Sequence, residues 1–443
     1  MRKALFLLVV PVVMVFFNGC LLNDDDDEIV VEETKPVVSA LQPSTGKHGE
    51  QIAIKGSRLT SAEGPTSVTF NGKGAQIVSV TDTMIVAVVP LRSGAGPVRV
   101  FNGDELGVGP VFNYIYTITV STFCGDGTAG HLDGGPLTAK FNSPAGLSAD
   151  ESGNIYVADR LNHRIRRIAS NGFVTTIAGN GQPGHFDGTP ANTRFNEPTG
   201  VSYDKITGDV FVADRNNHCI RIVKFTGVNT VAGTPGGAGY VDGTATVARM
   251  NGPTDVQVYT ENAELFITDA GNNCIRHMDE NGVLSTFAGT NQPGLIDGQG
   301  TSSRFNTPYA ITYDSTGYFF VTDIVNNNVR RITLDGLVST AAGSGAKGYA
   351  DGSAPLAAFD EPSGIAMIGQ VGFLCDRNNH RIRGISVPGN LVTTVAGASM
   401  TGLVNGDGSQ ARFNEPGGMV QTDEATFYIS DAANHVIRKM VVE

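Results

Sequence analysis

The stretch VADRNNHCIRIV, residues 212–223, places a carboxylate, an imidazole and a thiol within six positions, at Asp214, His218 and Cys219. Such side chains bind metals and also carry nucleophilic and acid–base catalysis. A cluster of this kind that occurred once would indicate a metal or catalytic site. This stretch is repeated along the chain, however, and the repetition changes its interpretation.

An aspartate followed by an asparagine three positions later and an arginine seven positions later occurs in six segments, 53 to 55 residues apart. Because a catalytic group is not needed in six copies, we predict a buttressing ion pair on one face of a hairpin, with the asparagine adopting the unusual backbone geometry of the turn. These signature residues are Asp159, Asp214, Asp269, Asp323, Asp376 and Asp431, then Asn162, Asn217, Asn272, Asn326, Asn379 and Asn434, and then Arg166, Arg221, Arg276, Arg330, Arg383 and Arg438.

Each repeated unit contains four strand-like runs separated by glycine-rich turns. One such sheet cannot cover its own apolar faces, so about six units in a ring predict a β-propeller. The aspartate, the N-x-x-[IV]-R pattern and the AG that ends the fourth run resemble the NHL repeat family. The opening run ITVSTFCGDG matches a fourth strand and the final run HVIRKMVVE a third. We therefore predict a propeller over residues 117–443, closed by residues 118–124 beside the C-terminal strand.

Residues 36–116 contain short alternating runs such as QIAIKG, SVTFNG and VRVFNG, which predict a small antiparallel sandwich. The opening VSALQPSTGKHGEQIAIKGSRL, with the VTFNG that follows, resembles the immunoglobulin-like IPT/TIG family. That resemblance implies a spacer or interaction module without catalytic residues. The predicted fold class is therefore all-β, with a sandwich followed by a six-bladed propeller.

The first nineteen residues have the outline of a secretory signal, with Arg2 and Lys3 before an apolar run. The small residue before Cys20 resembles a bacterial lipobox, which implies lipidation of Cys20. Residues 20–35 carry seven acidic side chains and predict a tether. An acidic segment after the lipidated cysteine is similar to the export signal of Bacteroidetes surface lipoproteins. We therefore expect a lipid-anchored protein of the outer membrane that faces the exterior, and the alternative is a spacer facing the periplasm.

Residues 36–443 contain 36 acidic and 28 basic side chains, a balance that excludes nucleic acid as an expected partner. The cysteines Cys124, Cys219, Cys274 and Cys375 form no zinc-type spacing, and we expect free thiols at small buried positions. Histidines at His163, His218, His380 and His435 share one turn position, too far apart to bind one metal ion.

Long loops between the units contain two further recurrent rows of charge, which we expect to brace each loop by pairing with each other. The acidic row is Asp133, Asp187, Asp242, Asp297 and Asp351, with Asn405 in the last unit, and the basic row is Lys140, Arg194, Arg249, Arg304 and Arg412, interrupted by Ala358. In a propeller these loops share one face with the turns between second and third strands. We call this the loop face.

We expect the ligand-binding residues to lie at positions of the loop face that differ between the units. Aromatic rings beside carboxylates and guanidinium groups suit a sugar, whose C–H faces stack and whose hydroxyls need donors and acceptors. The predicted ligand-binding residues are Arg160, Phe186, Glu197, Arg215, Tyr240, Tyr309, Tyr349, Glu361, Arg377 and Glu415, with Glu197, Glu361, Glu415 and Tyr309 around the central opening.

The leading hypothesis is a non-enzymatic surface lipoprotein that binds a glycan as an accessory of a polysaccharide uptake system, by analogy with lipoproteins of this layout. An alternative is a propeller hydrolase, lactonase or lyase, in which Glu197, Glu361 and Glu415 would provide oxygen ligands for calcium in the channel. No nucleophile elbow or HExxH motif supports catalysis, so we expect no catalytic residue and no resident metal or cofactor, with calcium left open. A third hypothesis is a scaffold for an outer-membrane or host protein.

Overall fold

The computed structural model describes residues 35–60, 64–245, 247–259, 264–314, 316–423 and 425–443. Within these ranges the regular structure consists of strands and three-residue 3-10 turns, and no helix is long and apolar enough to cross a membrane. Two compact units divide between Asn113 and Tyr114. The predicted signal, Cys20 and the tether up to residue 34 lie outside the described residues.

The first unit is an antiparallel β-sandwich of eight strands. Its strands alternate buried and more exposed residues, as a sheet with one covered face requires, and the rings of Phe70 and Phe112 pack edge to face at 5.0 Å in its core. The strands are β1 Val37–Gln42, β2 Thr45–Gly46, β3 Gln51–Ser57, β4 Thr66–Phe70, β5 Lys73–Val80, β6 Met84–Val88, β7 Gly96–Asn102 and β8 Glu105–Tyr114, hydrogen-bonded in the order β1-β3-β6-β5-β4-β7-β8-β2.

The second unit is a six-bladed β-propeller, as predicted. The first strand of each blade contacts the first strands of both neighbouring blades, and blade 6 meets blade 1, so the ring is closed. In strand order from the axis outward, blade 1 is Pro144–Ala149, Ile155–Asp159, Arg164–Ile168 and Val174–Ala178; blade 2 is Pro198–Tyr203, Val210–Asp214, Cys219–Lys224 and Gly227–Ala232; blade 3 is Pro253–Tyr259, Glu264–Asp269, Cys274–Met278 and Val283–Gly289.

The other three blades follow the same plan. Blade 4 is Pro308–Tyr313, Tyr318–Asp323, Asn328–Thr333 and Leu337–Ala342; blade 5 is Pro362–Ile368, Val371–Asp376, Arg381–Ser386 and Leu391–Gly397; blade 6 is Pro416–Gln421, Thr426–Asp431, Val436–Val442 and Ile118–Cys124. Two-residue strands extend blades 3 to 6 at their outer edges, at Gly243–Thr244, Gly298–Gln299, Gly352–Ser353 and Gly406–Asp407. The 3-10 turns are Arg160–Asn162, Arg215–Asn217, Ala270–Asn272, Gly300–Ser302, Ala354–Leu356, Arg377–Asn379 and Ala432–Asn434.

The ring closes through strands from opposite ends of the unit. Ile118–Cys124 pairs antiparallel with Val436–Val442, and the amide of Thr117 donates to the carbonyl of Glu443 at 2.7 Å. This confirms the predicted closure, in which an N-terminal strand completes the last blade. The pairing removes two exposed sheet edges that would otherwise bind other chains.

One buried side chain departs from the pattern of the propeller core. Asn328 is fully buried in blade 4, and neither its amide oxygen nor its amide nitrogen has a hydrogen-bond partner among the described residues. The corresponding residues in blades 2, 3 and 6 are Cys219, Cys274 and Val436, which are also fully buried, and those in blades 1 and 5 are Arg164 and Arg381. A buried amide without partners destabilises the folded state because it loses its hydrogen bonds to water.

The substitution Asn328→Val is therefore expected to raise the free energy of unfolding by about 1 kcal/mol, since it removes that desolvation cost. Urea unfolding of the variant and the wild type measures the difference. Asn328→Cys, which copies blades 2 and 3, is the matched control for side-chain size. If both variants were less stable than the wild type, the amide would have a partner such as a buried water.

Candidate functional site

Each signature aspartate is the centre of a buried polar network. In blade 2, the carboxylate of Asp214 accepts hydrogen bonds from Arg221 Nη1 at 2.8 Å, Asn217 Nδ2 at 2.7 Å and the amide of Asn196 at 2.8 Å. Burial raises the pKa of Asp214 to about 6, while Arg221 and the hydrogen bonds act in the opposite direction. The same aspartate–arginine contact, with the arginine fully buried, is present in all six blades. The predicted buttressing pair is confirmed.

The signature arginine also binds the long loop that precedes its blade. Arg221 Nη2 donates to the Asp187 carboxylate and to the carbonyl of Phe186 at 3.0 Å, and Nη1 donates to the carbonyl of Arg194 at 3.1 Å. The expected pairing of the two charged loop rows with each other is therefore wrong. The acidic row pairs with the signature arginine instead, because the loop crosses the blade directly above that guanidinium.

The predicted position of the strained turn residue is wrong by one. The left-handed backbone belongs to His218, with φ of 58°, while Asn217 ends the 3-10 turn and donates to Gly184 O at 2.8 Å as well as to Asp214. An asparagine tolerates left-handed geometry well, but here its amide is needed to join the loop to the aspartate.

The histidine position joins neighbouring blades, a role that the sequence did not predict. His218 Nδ1 accepts a hydrogen bond at 3.0 Å from the amide of Gly252 in the next blade, and burial lowers the pKa of His218, which favours the neutral ring. Asn273 Oδ1 accepts the equivalent bond from Thr307 N at 3.0 Å. The other four pairs are His163 with Glu197, Asn327 with Glu361, His380 with Glu415 and His435 with Ser143. The sequence does contain a signal for this role, because only His and Asn occur at this position of the repeat. Both side chains place a hydrogen-bond acceptor at the same distance from the backbone.

Two positions from each blade meet at the end of the central channel on the loop face, and we call this ring of positions the mouth. One position follows the signature aspartate, and the other precedes the proline that begins the first strand. The first set is Arg160, Arg215, Ala270, Ile324, Arg377 and Ala432, and the second is Ser143, Glu197, Gly252, Thr307, Glu361 and Glu415. All six members of the second set have positive φ, between 50° and 61°.

Ion pairs cross the mouth between neighbouring blades. Arg160 lies 3.6 Å from Glu197 and also donates to Ser143 Oγ at 3.0 Å, and Arg377 donates to Glu415 Oε2 at 2.9 Å. Burial alone would lower the pKa of Arg377, but Tyr309, Glu415 and Glu361 together raise it. The predicted residues Arg160, Glu197, Arg215, Glu361, Arg377 and Glu415 thus belong to the mouth. Tyr309 follows the proline of blade 4, lines the channel and helps to raise the pKa of Arg377.

Below the mouth lies a cavity of about 350 Å³ along the propeller axis. It is lined by the first strands of all six blades and includes Tyr309, which is half-buried. Groups of three or more metal-ligating side chains are absent from the described residues. The mouth therefore offers an aromatic ring, carboxylates and guanidinium groups around an opening that a small polar molecule could enter.

The remaining predicted ligand residues lie elsewhere. The hydroxyls of Tyr240 and Tyr349 bond to Thr286 and Thr394 on outer strands at 2.9 and 2.8 Å, and the Tyr349 ring lies 4.1 Å from the Arg381 guanidinium. Phe186 is 53% exposed beside the loop bridge to Arg194. These three aromatic residues form an outer rim, and the structure does not bring them together with the mouth.

The four described cysteines are buried free thiols, as predicted. Burial raises the pKa of Cys124 and Cys375 far above the ordinary value, so these thiols stay protonated. A nucleophilic or metal-binding role for the Asp-His-Cys stretch therefore has no support in the geometry.

Comparisons with protein families agree with the two-part fold. The IPT/TIG domain family matches residues 36–120, and the NHL repeat family matches residues 141–168 and 195–223. Human NHL repeat-containing protein 2 is 27% identical over 339 residues, which cover 68% of this chain and 46% of that protein. The Arabidopsis thaliana protein SUPPRESSOR OF QUENCHING 1, chloroplastic, is 29% identical over 282 residues, which cover 59% of this chain and 26% of that protein. The chain spans less than half the length of these curated relatives.

Solved structures from Bacteroides share the fold along most of the chain. A Bacteroides thetaiotaomicron protein of unknown function aligns with a TM-score of 0.63 at 20% identity, covering 93% of this chain and 99% of that one. An auxiliary nutrient binding protein from Bacteroides ovatus aligns with a TM-score of 0.57, also at 20% identity, covering 93% and 99%. The chain thus contains an IPT/TIG domain and NHL repeats arranged in a six-bladed propeller.

Proposed function

We propose that this protein is a non-enzymatic binding lipoprotein, and that the mouth of its propeller holds a glycan for a polysaccharide uptake system. The observation that carries the proposal is the concentration of differences between the blades at the mouth. Buried networks are repeated in every blade, whereas Tyr309, Arg377 and Glu415 have no sixfold counterpart. Binding residues are expected where a rigid scaffold stops repeating.

The chemistry of the mouth suits a sugar. Tyr309 presents an aromatic ring at the cavity, on which the C–H face of a pyranose stacks. The ion pairs of Arg160 with Glu197 and of Arg377 with Glu415 hold donors and acceptors in fixed positions for hydroxyl groups. The likeness of the fold to auxiliary nutrient binding proteins of Bacteroides supports a binding role.

Attachment and placement belong to the same proposal. A lipid on Cys20 would anchor the chain to the outer membrane, the acidic segment after it would direct the protein to the exterior, and the IPT/TIG domain would act as the spacer. Protease treatment of intact cells tests this: an exterior propeller is degraded, and a periplasmic one is protected.

Glycan-array binding of the purified protein, followed by calorimetry on the best ligand, tests the site. Tyr309→Ala is expected to lower the affinity for that glycan at least tenfold, a loss of about 1.4 kcal/mol of binding free energy, because the stacking surface is lost. Phe186→Ala on the outer rim is the matched aromatic control and is expected to change affinity less than twofold. The array is run with and without calcium, and turnover of a bound glycan, ester or lactone would refute the non-enzymatic proposal.

A further inference from the structure

Some charged side chains of the mouth form ion pairs and others do not, and this pattern indicates a class of ligand. Neighbouring blades meet at six gaps, and each gap receives the residue after the signature aspartate of one blade and the residue before the first proline of the next. In order around the ring the gaps hold Arg160 and Glu197, Arg215 and Gly252, Ala270 and Thr307, Ile324 and Glu361, Arg377 and Glu415, and Ala432 and Ser143.

Two gaps contain a complete ion pair. Arg160 reaches Glu197 at 3.6 Å and Arg377 reaches Glu415 at 2.9 Å, each across to the following blade. In these gaps the guanidinium is neutralised by the protein itself. A ligand that approaches them meets hydrogen-bonding groups without net charge.

One gap contains an arginine without an acid. The residue that faces Arg215 is Gly252, and a Cβ atom at Gly252 would lie 3.9 Å from Arg215 Cγ, so Arg215 occupies the same place as its two counterparts. Among the described residues Arg215 has no ion pair or hydrogen bond through its side chain, although it is partly buried. An arginine at the mouth whose donors are unused is suited to a carboxylate of the ligand.

The opposite case lies two gaps further around the ring. Glu361 faces Ile324, whereas the other two glutamates of the mouth each face an arginine, and it makes no ion pair within 4 Å with another described residue. Its charge acts at longer range on Arg377 of its own blade, which already pairs with Glu415. Tyr309, which lines the cavity, belongs to blade 4, which lies between these two gaps. A pyranose stacked on Tyr309 would thus have a cation on one side and a hydroxyl acceptor on the other.

We propose that the mouth selects an acidic sugar, whose carboxylate pairs with Arg215 while Glu361 accepts hydrogen bonds from its hydroxyls. This inference rests on the proposed function and narrows it to glycans that contain uronic or nonulosonic acids. Neutral glycans would lack a partner for the unused guanidinium.

The test compares acidic glycans with their own methyl esters, in which each carboxylate is replaced by an uncharged ester and the rest of the glycan is unchanged. The probes are oligomers of galacturonic acid and of glucuronic acid and an N-acetylneuraminic acid glycan, each as free acid and as ester, measured by calorimetry with the purified protein. Wild-type protein is expected to bind at least one free acid tenfold or more tightly than its ester. That preference is expected to decrease as salt is raised.

Two variants locate the preference at one gap. Arg215→Gln is expected to lower the affinity for the free acid at least tenfold and the affinity for the ester less than twofold. Gly252→Glu, which copies the acid of the paired gaps on a backbone that already has their left-handed geometry, is expected to remove the preference without deleting any contact. Arg249→Gln, an exposed loop arginine outside the mouth, is the matched control and is expected to leave both affinities unchanged.

The outcomes separate this inference from the proposed function. Glycan binding with equal affinity for acids and esters, or a preference that survives both Arg215→Gln and Gly252→Glu, would overturn the acidic-sugar inference and leave the glycan site in place. Absence of binding to every glycan on the array would overturn both.

Discussion

Replacement of Arg221 by methionine is expected to lower the free energy of unfolding of the propeller by about 3–5 kcal/mol. The substitution leaves the buried carboxylate of Asp214 without its cation and removes the donor that Asp187 shares with the loop carbonyls. An unpaired buried charge costs far more than a surface pair contributes. The shift of the urea midpoint at constant slope gives the magnitude.

Two controls separate charge burial from general damage. Arg194→Met, at an exposed side chain that contributes only its carbonyl to the network, is expected to change stability by less than about 0.5 kcal/mol. The double variant Asp214→Leu with Arg221→Met is expected to recover part of the loss, because no charge then remains uncompensated inside the blade. A single variant as stable as the wild type would mean that water or another cation replaces the guanidinium.

The repeated networks explain why the mouth can be precise although it is made of loops. Each signature arginine joins the turn of its own blade to the long loop that arrives from the preceding blade. The histidine or asparagine after that turn then accepts a hydrogen bond from the backbone amide of a mouth residue in the following blade. The backbone on both sides of each gap is therefore tied to these networks, and we expect substitutions of mouth side chains to leave that backbone in place.

The sequence predicted the features that depend on local spacing and repetition. The period of the sequence repeat predicts the six aspartate–arginine pairs, the six blades and the closing strand. Strand alternation and the number of repeats determine which residues share a face. The bond of His218 to Gly252 could not be predicted in this way, since it depends on how closely two blades pack. The pairing of Asp187 with Arg221 rather than Arg194 depends on the path of an irregular loop, which no periodicity defines.

Only part of the candidate site could be predicted from the sequence, because only part of it follows from the repeat. Glu197, Glu361 and Glu415 occupy one column of the repeat, so their common place at the mouth follows from the blade symmetry. Tyr240 and Tyr349 precede the loop aspartate in a column of their own, and the loop carries them outward to Thr286 and Thr394. The lack of an ion-pair partner for Arg215 and for Glu361 among the described residues is seen only when the contacts across each gap are compared.

A second irregularity lies inside the channel wall, where Asp255 occupies a position that is glycine or alanine in the other blades, at Gly146, Gly200, Ala310, Gly364 and Gly418. Its carboxylate accepts hydrogen bonds from the amide of Ile311 in blade 4 at 3.0 Å and from Val256 N at 3.0 Å. Burial raises the pKa of Asp255 to about 7, more than these two hydrogen bonds lower it. The folded protein thus holds this proton more tightly than the unfolded chain, whose aspartates titrate near pH 4.

The contribution of Asp255 to stability is therefore full below about pH 4, decreases as the pH rises toward 7, and is constant above that. Asp255→Asn cannot ionise, so the free energy of unfolding of the variant relative to the wild type is expected to rise by about 1–3 kcal/mol between pH 5 and pH 8. The value stays below that of the full shift because part of the change already occurs below pH 5, where the aspartate of the unfolded chain titrates. Urea unfolding of both proteins at the two pH values measures it, and the buried signature aspartates cancel because both proteins contain them. A difference that is independent of pH would show that Asp255 is ionised throughout this range.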